Sequence, residues 1–257
     1  MSGIISVCLS SVSDEKQLGK SLNCIERASC EVGVFVCDHS RNEMASEKLQ
    51  WANPAINVLF RKKKTRYTVA VNSIPSDLLG KYLIVMDPGI TFKPELLSRM
   101  IAYMEVHPSI AVLSPLFTDQ KGIELSVPRR ELSIRNLFSM AFSRISGSDR
   151  SAYKSLTMTD RVVDAPVSVK IASSRFMFIR TEVFSRLGGF DPGYDRFLAD
   201  CDLCQRILTT HAGSIVWHPH MTVVQDSVSG CVDDSIFRKL ISTVRYAIRW
   251  RIRWLQI

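Results

Sequence analysis

Apolar and polar positions alternate along the first half of the chain in a pattern of strands separated by helices. Short apolar runs at 4–10, 32–38 and 56–60 are separated by the amphipathic segments SDEKQLGKSLNCIE and NEMASEKLQWA. Strand-length apolar runs that alternate with helical segments are typical of parallel strands joined by crossover helices. The pattern therefore predicts a βαβαβ unit, in which helices cover a mostly parallel sheet.

The second half continues this pattern after a change in composition. Apolar runs at 82–87 and 110–115 flank the segment PELLSRMIAYMEVHP, whose apolar spacing of three and four predicts a helix. Residues 117–162 are rich in Ser and Arg and have few strand signals, so we interpret them as an insertion. A strand at 175–180 and a helix stopped by Gly-Gly then restore the α/β order.

Composition places the chain among globular intracellular proteins. Its 257 residues are 46% hydrophobic, which suits one α/β unit with a substantial core. Seven cysteines, an odd number scattered through apolar segments, favour buried reduced thiols over a disulfide framework. The start lacks a basic signal-peptide region and no run of eighteen apolar residues occurs, so we expect a cytosolic protein that does not span a membrane.

The net charge of +8 is concentrated in two places. RKKKTR at 61–66 carries five positive charges, and 233–257 holds six Lys or Arg against two Asp. Either run is a solvated face or a site for phosphorylated ligands or anionic lipid. No nucleic-acid reader motif or aromatic stacking pattern accompanies the charge, so we expect no nucleic-acid partner.

Two predicted strands end on an aspartate, Asp38 and Asp87. Ligands of open α/β sheets bind at the carboxyl ends of the strands, where both carboxylates would lie. An aspartate that follows a strand is equally typical of a turn or a helix N-cap. No glycine-rich dinucleotide or P-loop motif is present to decide between these interpretations.

The stretch YDRFLADCDLCQRI at 194–207 combines a C-x-x-C spacing with several carboxylates. No second cysteine pair or zinc-finger histidine follows, so we interpret Cys201 and Cys204 as core packing. If a helix begins near Ala199, Asp200 lies in its first turn, where the helix dipole favours a charged carboxylate. Asp202 lies about 200° further round the helix, so the two carboxylates are expected to have different roles.

The segment GGFDPGYDRFLADCDLCQRI resembles the G-G-F-D-x-x-F…E-D-x-D-L-x-x-R signature of inverting family 2 glycosyltransferases with the GT-A fold. The order of motifs follows that family along nearly the whole chain, and the basic end ISTVRYAIRWRIRW is similar to that of bacterial O-antigen rhamnosyltransferases. The resemblance implies a Rossmann-like GT-A domain at 1–232 and a basic amphipathic helix at 233–257. Within the domain, 1–116 would bind the nucleotide-sugar, 117–162 would be inserted, and 163–232 would hold the catalytic and acceptor half.

The same resemblance assigns a role to individual residues. Asp200 would be the catalytic base, while Asp202 and Arg206 would brace its helix. Asp38 would contact the nucleotide base, with Ser10 nearby.

Asn72 matches the second Asn of the family's N-x-G-x-x-x-x-x-N-x-G segment. In that segment Lys64 and Arg66 replace the first Asn and the glycine. We count all three among the candidate donor-binding residues.

Three departures from the family pattern affect the metal and the base. Gly89 stands where the family usually has the last Asp of an N-P-D or D-x-D motif, which binds a divalent ion. Gln225 stands where the family often has a His, and Ala199 replaces the Glu before the base. Two potential metal ligands are therefore missing together.

These departures leave three alternatives open. In the first, the protein's own cations, with Lys64, Arg66 and Arg175 as candidates, stabilise the leaving diphosphate, and the enzyme needs no metal. In the second, Asp87 alone holds a weakly bound Mg²⁺ or Mn²⁺. In the third, the chain is a degenerate, nucleotide-sugar-binding scaffold of a polysaccharide-assembly complex.

The tail from 234 onward is predicted to form a helix with three stripes. The aliphatic stripe consists of Phe237, Ile241, Val244, Ile248 and Ile252; the second stripe of Arg238, Ser242, Arg245, Arg249 and Arg253; and the aromatic stripe of Tyr246, Trp250 and Trp254. We expect one apolar face to pack on the domain, while aromatics flanked by arginines suit the headgroups of an anionic bilayer. A docking or homodimer helix is the alternative.

The whole sequence therefore predicts an inverting glycosyltransferase at the inner face of the cell membrane. The resemblance implies transfer of L-rhamnose from dTDP-rhamnose, or of another dTDP- or UDP-linked sugar. The acceptor would be a lipid-linked or growing bacterial surface polysaccharide.

Overall fold

The computed structural model describes residues 5–11, 15–38, 56–60, 66–125, 164–225 and 236–250. For Ser10, Ser11, Asp38, Phe60 and Ile236 it describes the backbone only. Lys64 and most of the expected insertion lie outside the described residues. The expected boundary at 117 falls inside a strand that continues to Thr118.

The described elements follow the predicted alternation of strands and helices. The strands are β1 (Ile5–Ser11), β2 (Val32–Asp38), β3 (Ile56–Phe60), β4 (Tyr82–Met86), β5 (Ile90–Phe92), β6 (Ile110–Thr118), β7 (Val167–Ser168), β8 (Phe176–Arg180) and β9 (Ser214–Gln225). The helices are α1 (Glu15–Glu26), α2 (Tyr67–Val71), α3 (Leu96–Val106), α4 (Thr181–Arg186), α5 (Ala199–Thr209) and α6 (Ile236–Arg249), and a 3-10 turn spans Ser76–Leu78.

These strands form one sheet in the order β3-β2-β1-β4-β8-β6-β9-β5, with β7 paired to β9. Strands β1 to β4 are parallel to one another, and β8 is antiparallel to both β4 and β6. Because β6 and β9 are also parallel, β1 to β4, β6 and β9 all run in one direction, against β5, β7 and β8. The predicted α/β fold with a mostly parallel sheet is confirmed.

Each face of the sheet carries its own apolar core, because successive side chains of a strand point to opposite faces. In β4, Leu83 and Val85 join the core under α2, α4 and α5, whereas Tyr82, Ile84 and Met86 join the core under α1 and α3. Burial on both faces explains why β4 is apolar without alternation.

The cysteines that the structure describes are free, and Cys201 and Cys204 are fully buried in the first of these cores. Their predicted role in core packing is confirmed.

The C-terminal helix is present, but it docks by a different face from the one expected. Tyr246 is fully buried, with Ser242 and Thr243 beside it. The aliphatic stripe faces outward: Phe237 and Ile248 are each 72% exposed, and Ile241 and Val244 about half exposed. The expectation that the aromatic and arginine stripes face a bilayer is therefore wrong for the described part of the helix.

Ion pairs explain this orientation of α6. Arg238 pairs with Asp195 at 2.6 Å, and Arg245 and Arg249 both pair with Asp191. The arginines thus bind the protein itself and turn the aliphatic stripe toward solvent. Among the described helices, none combines the length and apolarity needed to cross a membrane.

Candidate active site

The carboxyl edge of the parallel strands gathers the polar residues that the sequence singled out. Asp87 directly follows β4, and Gln225 is the last residue of β9. The antiparallel β8 begins at this same edge, where the Asp87 N–H donates to the Arg175 carbonyl at 2.8 Å. Ser10 and Asp38 lie at the ends of the neighbouring strands β1 and β2, opposite Cys37 and Ser11 respectively.

Asp200 lies in the first turn of α5 and is 5% exposed. Its Oδ2 accepts a hydrogen bond from the Ser174 N–H at 3.3 Å, and its Oδ1 accepts one from its neighbour Cys201 at 2.9 Å. Ser174 precedes Arg175, so this contact joins the start of α5 to the carboxyl edge of the sheet. Backbone donors therefore orient the carboxylate that was predicted to act as base.

The turn that leads into α5 is strained. Leu198 adopts a left-handed conformation with φ of 67°, which is uncommon for a residue other than glycine. Its carbonyl accepts the Asp202 N–H at 2.9 Å, so the first helical hydrogen bond holds the strained residue in place. Strain of this kind costs about 1–3 kcal/mol and is found at functional sites.

Asp202 makes different contacts from Asp200, as the helical spacing predicted. It is fully buried, and its Oδ2 accepts a hydrogen bond from Arg206 Nε at 2.9 Å. Its Oδ1 accepts one from Trp250 Nε1 at 3.1 Å. Arg206 also donates to the carbonyls of Leu187 and Gly189 at 2.7 Å each. These contacts tie α5 to the glycine turn and to α6, and the bracing role of Asp202 and Arg206 stays a prediction.

Asp87 forms an ion pair with Arg196, a residue that the sequence analysis missed. Both side chains are nearly buried, at 12% and 11% exposure. The Arg196 guanidinium also lies 4.8 Å from the centre of the Tyr67 ring, which is cation–π distance. No periodicity or motif signals this contact, because the two partners are separated by 109 positions.

Tyr67 lies within electrostatic range of both carboxylates of the site. Burial raises the pKa of Tyr67 well above its ordinary value, Arg196 lowers it, and the negative charges of Asp87 and Asp200 raise it further. All three charged groups are therefore close enough to act on this ring. Its buried hydroxyl has no hydrogen-bond partner among the residues that the structure describes.

Arg175 and Gln225 form a second polar pair at the same edge. Arg175 Nη1 donates to Gln225 Oε1 at 2.9 Å, and the guanidinium lies 5.0 Å from the centre of the Phe117 ring. Gln225, which replaces the expected histidine, is thus bound to a cation.

Gly89 occupies a left-handed turn with φ of 84°. Its N–H donates to the Gln17 carbonyl and to Ser21 Oγ, and a Cβ at this position would lie 2.5 Å from Gln17 Oε1. A side chain here would have to displace Gln17 from the space it fills. Within the described residues, no three or more His, Cys, Asp or Glu side chains lie close enough together to hold a metal ion.

Two predicted donor-binding residues instead contact the turn before α5. Asn72 donates to the Phe190 carbonyl at 2.7 Å and accepts the Phe190 N–H at 2.9 Å. Arg66 donates to the Pro192 carbonyl at 2.7 Å. In this structure both side chains hold the turn in place, and their role in donor binding stays a prediction.

Comparison with known proteins gives a family and a fold. The family model described as Glycosyl transferase family 2 matches residues 6–188. No curated protein sequence matches the chain.

Two solved structures resemble this one at 15% identity each. "Mannosyltransferase PcManGT from Pyrobaculum calidifontis in complex with GDP-Man and Mn2+" superposes with a TM-score of 0.59 over 97% of this chain and 65% of that one. "Crystal structure of GalNAc-T7 with UDP, GalNAc and Mn2+" gives a TM-score of 0.64 over 98% of this chain and 51% of that one. The chain thus spans less than two thirds of the length of either structure.

Proposed function

Because the chain belongs to glycosyl transferase family 2, we propose that it is an inverting glycosyltransferase that uses a nucleotide-sugar donor. The observation that carries this proposal is the buried Asp200 carboxylate, oriented by the Ser174 N–H beside the carboxyl edge of the sheet. This edge is where ligands bind in α/β sheets of this kind.

The reaction assigns Asp200 the role of general base. Its carboxylate takes the proton of the acceptor hydroxyl while that oxygen forms a bond to the anomeric carbon. The bond between this carbon and the diphosphate oxygen breaks on the opposite face, and its electron pair leaves with the nucleotide. Attack opposite the leaving group inverts the anomeric centre.

The proposed donor and acceptor rest on the sequence resemblance to O-antigen rhamnosyltransferases. It makes dTDP-L-rhamnose the preferred donor and a lipid-linked or growing bacterial surface polysaccharide the acceptor. A thermal-shift panel of dTDP, UDP and GDP sugars, each with and without Mn²⁺, tests this choice. The largest stabilisation is expected from a dTDP sugar, and a clear preference for GDP or UDP sugars would contradict it.

The second candidate function is a catalytically degenerate scaffold that binds a nucleotide-sugar, favoured by the residues Gly89, Ala199 and Gln225 at family motif positions. Asp200→Asn distinguishes the two functions. An enzyme loses turnover but keeps donor binding, whereas a scaffold shows no turnover even as wild type. The exposed Asp77→Asn is the matched control, which leaves activity unchanged.

The outward-facing stripe of α6 supports the proposal that the protein lies at a membrane surface. We define this surface by its described residues Phe237, Ile241, Val244 and Ile248, which are exposed at helical spacing. An apolar stripe of this kind is typical of helices that lie in a bilayer interface. A lipid-linked acceptor would bring its sugar to the same surface, because the arginines of α6 hold the helix against the turn that leads to Asp200.

A further inference from the structure

The divalent ion that accompanies both solved neighbours does not fit the residues of this site. Asp87, the carboxylate that would hold it, is already in an ion pair with Arg196. Gly89 offers no side chain, and Gln225 is bound to Arg175. The side chains at two of these three positions, Asp87 and Gln225, are therefore each bound to a guanidinium group.

We propose that Arg196, held by Asp87 and assisted by Arg175, replaces the divalent cation and neutralises the diphosphate of the donor. This inference rests on the proposed glycosyltransferase function. When the bond from the anomeric carbon to the diphosphate breaks, the oxygen that receives the electron pair is stabilised by these fixed cations. The acceptor proton goes to Asp200, and the electron pair of the broken bond goes to the diphosphate.

The chemistry of the arginine side chain suits this role. A guanidinium presents five N–H donors in a planar fork and binds phosphate with two of them at once. The contact to Asp87 is made through Nη2 of this fork. The carboxylate and the Tyr67 ring hold the fork from two sides, so its orientation is set before the donor arrives. Preorganised cations in a nearly dry site stabilise developing charge more strongly than cations in water.

Among the described residues, the buried hydroxyl of Tyr67 has no hydrogen-bond partner, so a polar ligand would complete it. A buried hydroxyl without a partner costs about 1–3 kcal/mol. Tyr67 is 5% exposed and lies within electrostatic range of Arg196, Asp87 and Asp200. A diphosphate oxygen bound at Arg196 would supply the missing acceptor.

Calorimetry of nucleotide binding in EDTA tests the proposal. The probes are dTDP, UDP and GDP, each compared with its monophosphate. Wild type is expected to bind one diphosphate without metal, and more tightly than the monophosphate. Arg196→Gln removes the cation and is expected to weaken diphosphate binding about tenfold or more, which corresponds to the free energy of one hydrogen bond to a charged group. Monophosphate binding is expected to change little.

Three further variants separate the role of the charge from effects on folding. Arg196→Lys keeps the charge but not the fork, so it is expected to recover part of the loss. Tyr67→Phe removes one hydroxyl without changing shape and is expected to weaken diphosphate binding about fivefold. Arg186→Gln is the control, because this exposed arginine of α4 pairs with Glu182 away from the site.

Manganese binding to the wild type gives a test that needs no variant. Electron paramagnetic resonance is expected to show no bound Mn²⁺ with or without the diphosphate. Diphosphate binding that requires Mn²⁺, or that is unchanged in Arg196→Gln and Tyr67→Phe, would overturn the inference while the glycosyltransferase function stands. Failure of every nucleotide to bind, with or without metal, would overturn both.

Discussion

Asp200 and Asp202 are two residues apart and nearly equally buried, yet their contacts give them opposite expected phenotypes. Asp202 neutralises the Arg206 guanidinium inside the protein, whereas Asp200 is held by backbone N–H groups. Removing one partner of a buried ion pair costs about 3–5 kcal/mol. The carboxylate of a proposed base contributes mainly to the reaction.

We therefore expect Asp202→Asn to lower the free energy of unfolding by about 3 kcal/mol. Asp200→Asn keeps one of the two oxygen acceptors and leaves one backbone N–H without a partner, so it is expected to cost about 1–2 kcal/mol. Urea unfolding followed by circular dichroism measures both values, with Asp77→Asn as the exposed control. Equal losses in the two variants would contradict the separation of roles.

Gly89 is a second residue at which one substitution tests the local structure. Gly89→Ala places a Cβ in a left-handed turn against Gln17, so we expect a loss of about 1–2 kcal/mol of stability. Gly19→Ala is the matched control, because among the described residues no atom outside its own turn of helix α1 lies within 4 Å of the added Cβ. That change is expected to stabilise the protein by about 0.5–1 kcal/mol. A neutral Gly89→Ala would mean that the turn relaxes easily.

At the scale of elements, the sequence predicted features that depend on neighbouring residues. It did not predict contacts between residues far apart in the chain. The glycine pair at 188–189 correctly predicted the end of α4, and the helix assumed to begin near Ala199 does begin there. The docked face of α6 could not be predicted, since it depends on aspartates 43 to 58 positions away. The contact of Arg196 with Asp87 could not be predicted either, because these residues are also far apart in the sequence. Amphipathic spacing defines the stripes of a helix, but it does not determine which stripe packs against the rest of the protein.

The docking of α6 is expected to depend on pH through Asp191. Burial opposes its charge, but the Gly193 N–H and the guanidinium groups of Arg245 and Arg249 lower the pKa of Asp191 below its ordinary value of 3.8. Because the folded pKa is the lower one, this stabilisation is present above pH 3.8 and is lost as pH falls through the folded pKa.

Asp191→Asn provides the measurement for this element. The variant is expected to be less stable than wild type at pH 7, and the difference is expected to shrink as the pH falls from about 5 to 3. Tryptophan fluorescence, to which Trp250 contributes through an indole bound to Asp202, follows the urea unfolding of both proteins. A difference that stays constant with pH would exclude the charge of Asp191 as the cause.

At the scale of the whole molecule, α6 has a buried face and an exposed face, and the two have to be tested separately. Its inner face completes the core through Tyr246, so deleting 234–257 would expose that core as well as remove the membrane surface. The outward stripe can be changed alone. Ile241→Asp together with Ile248→Asp places charge on side chains that are 49% and 72% exposed and leaves the arginine contacts in place.

This double variant is expected to lose sedimentation with anionic liposomes, because a bilayer interface disfavours carboxylates on the inserted face. Its nucleotide binding is expected to match wild type, since the carboxyl edge of the sheet is unchanged. Light scattering of both proteins in the absence of lipid measures their mass. If wild type is a dimer that the double variant dissociates, and neither protein binds liposomes, the stripe is a subunit interface and the membrane proposal is wrong.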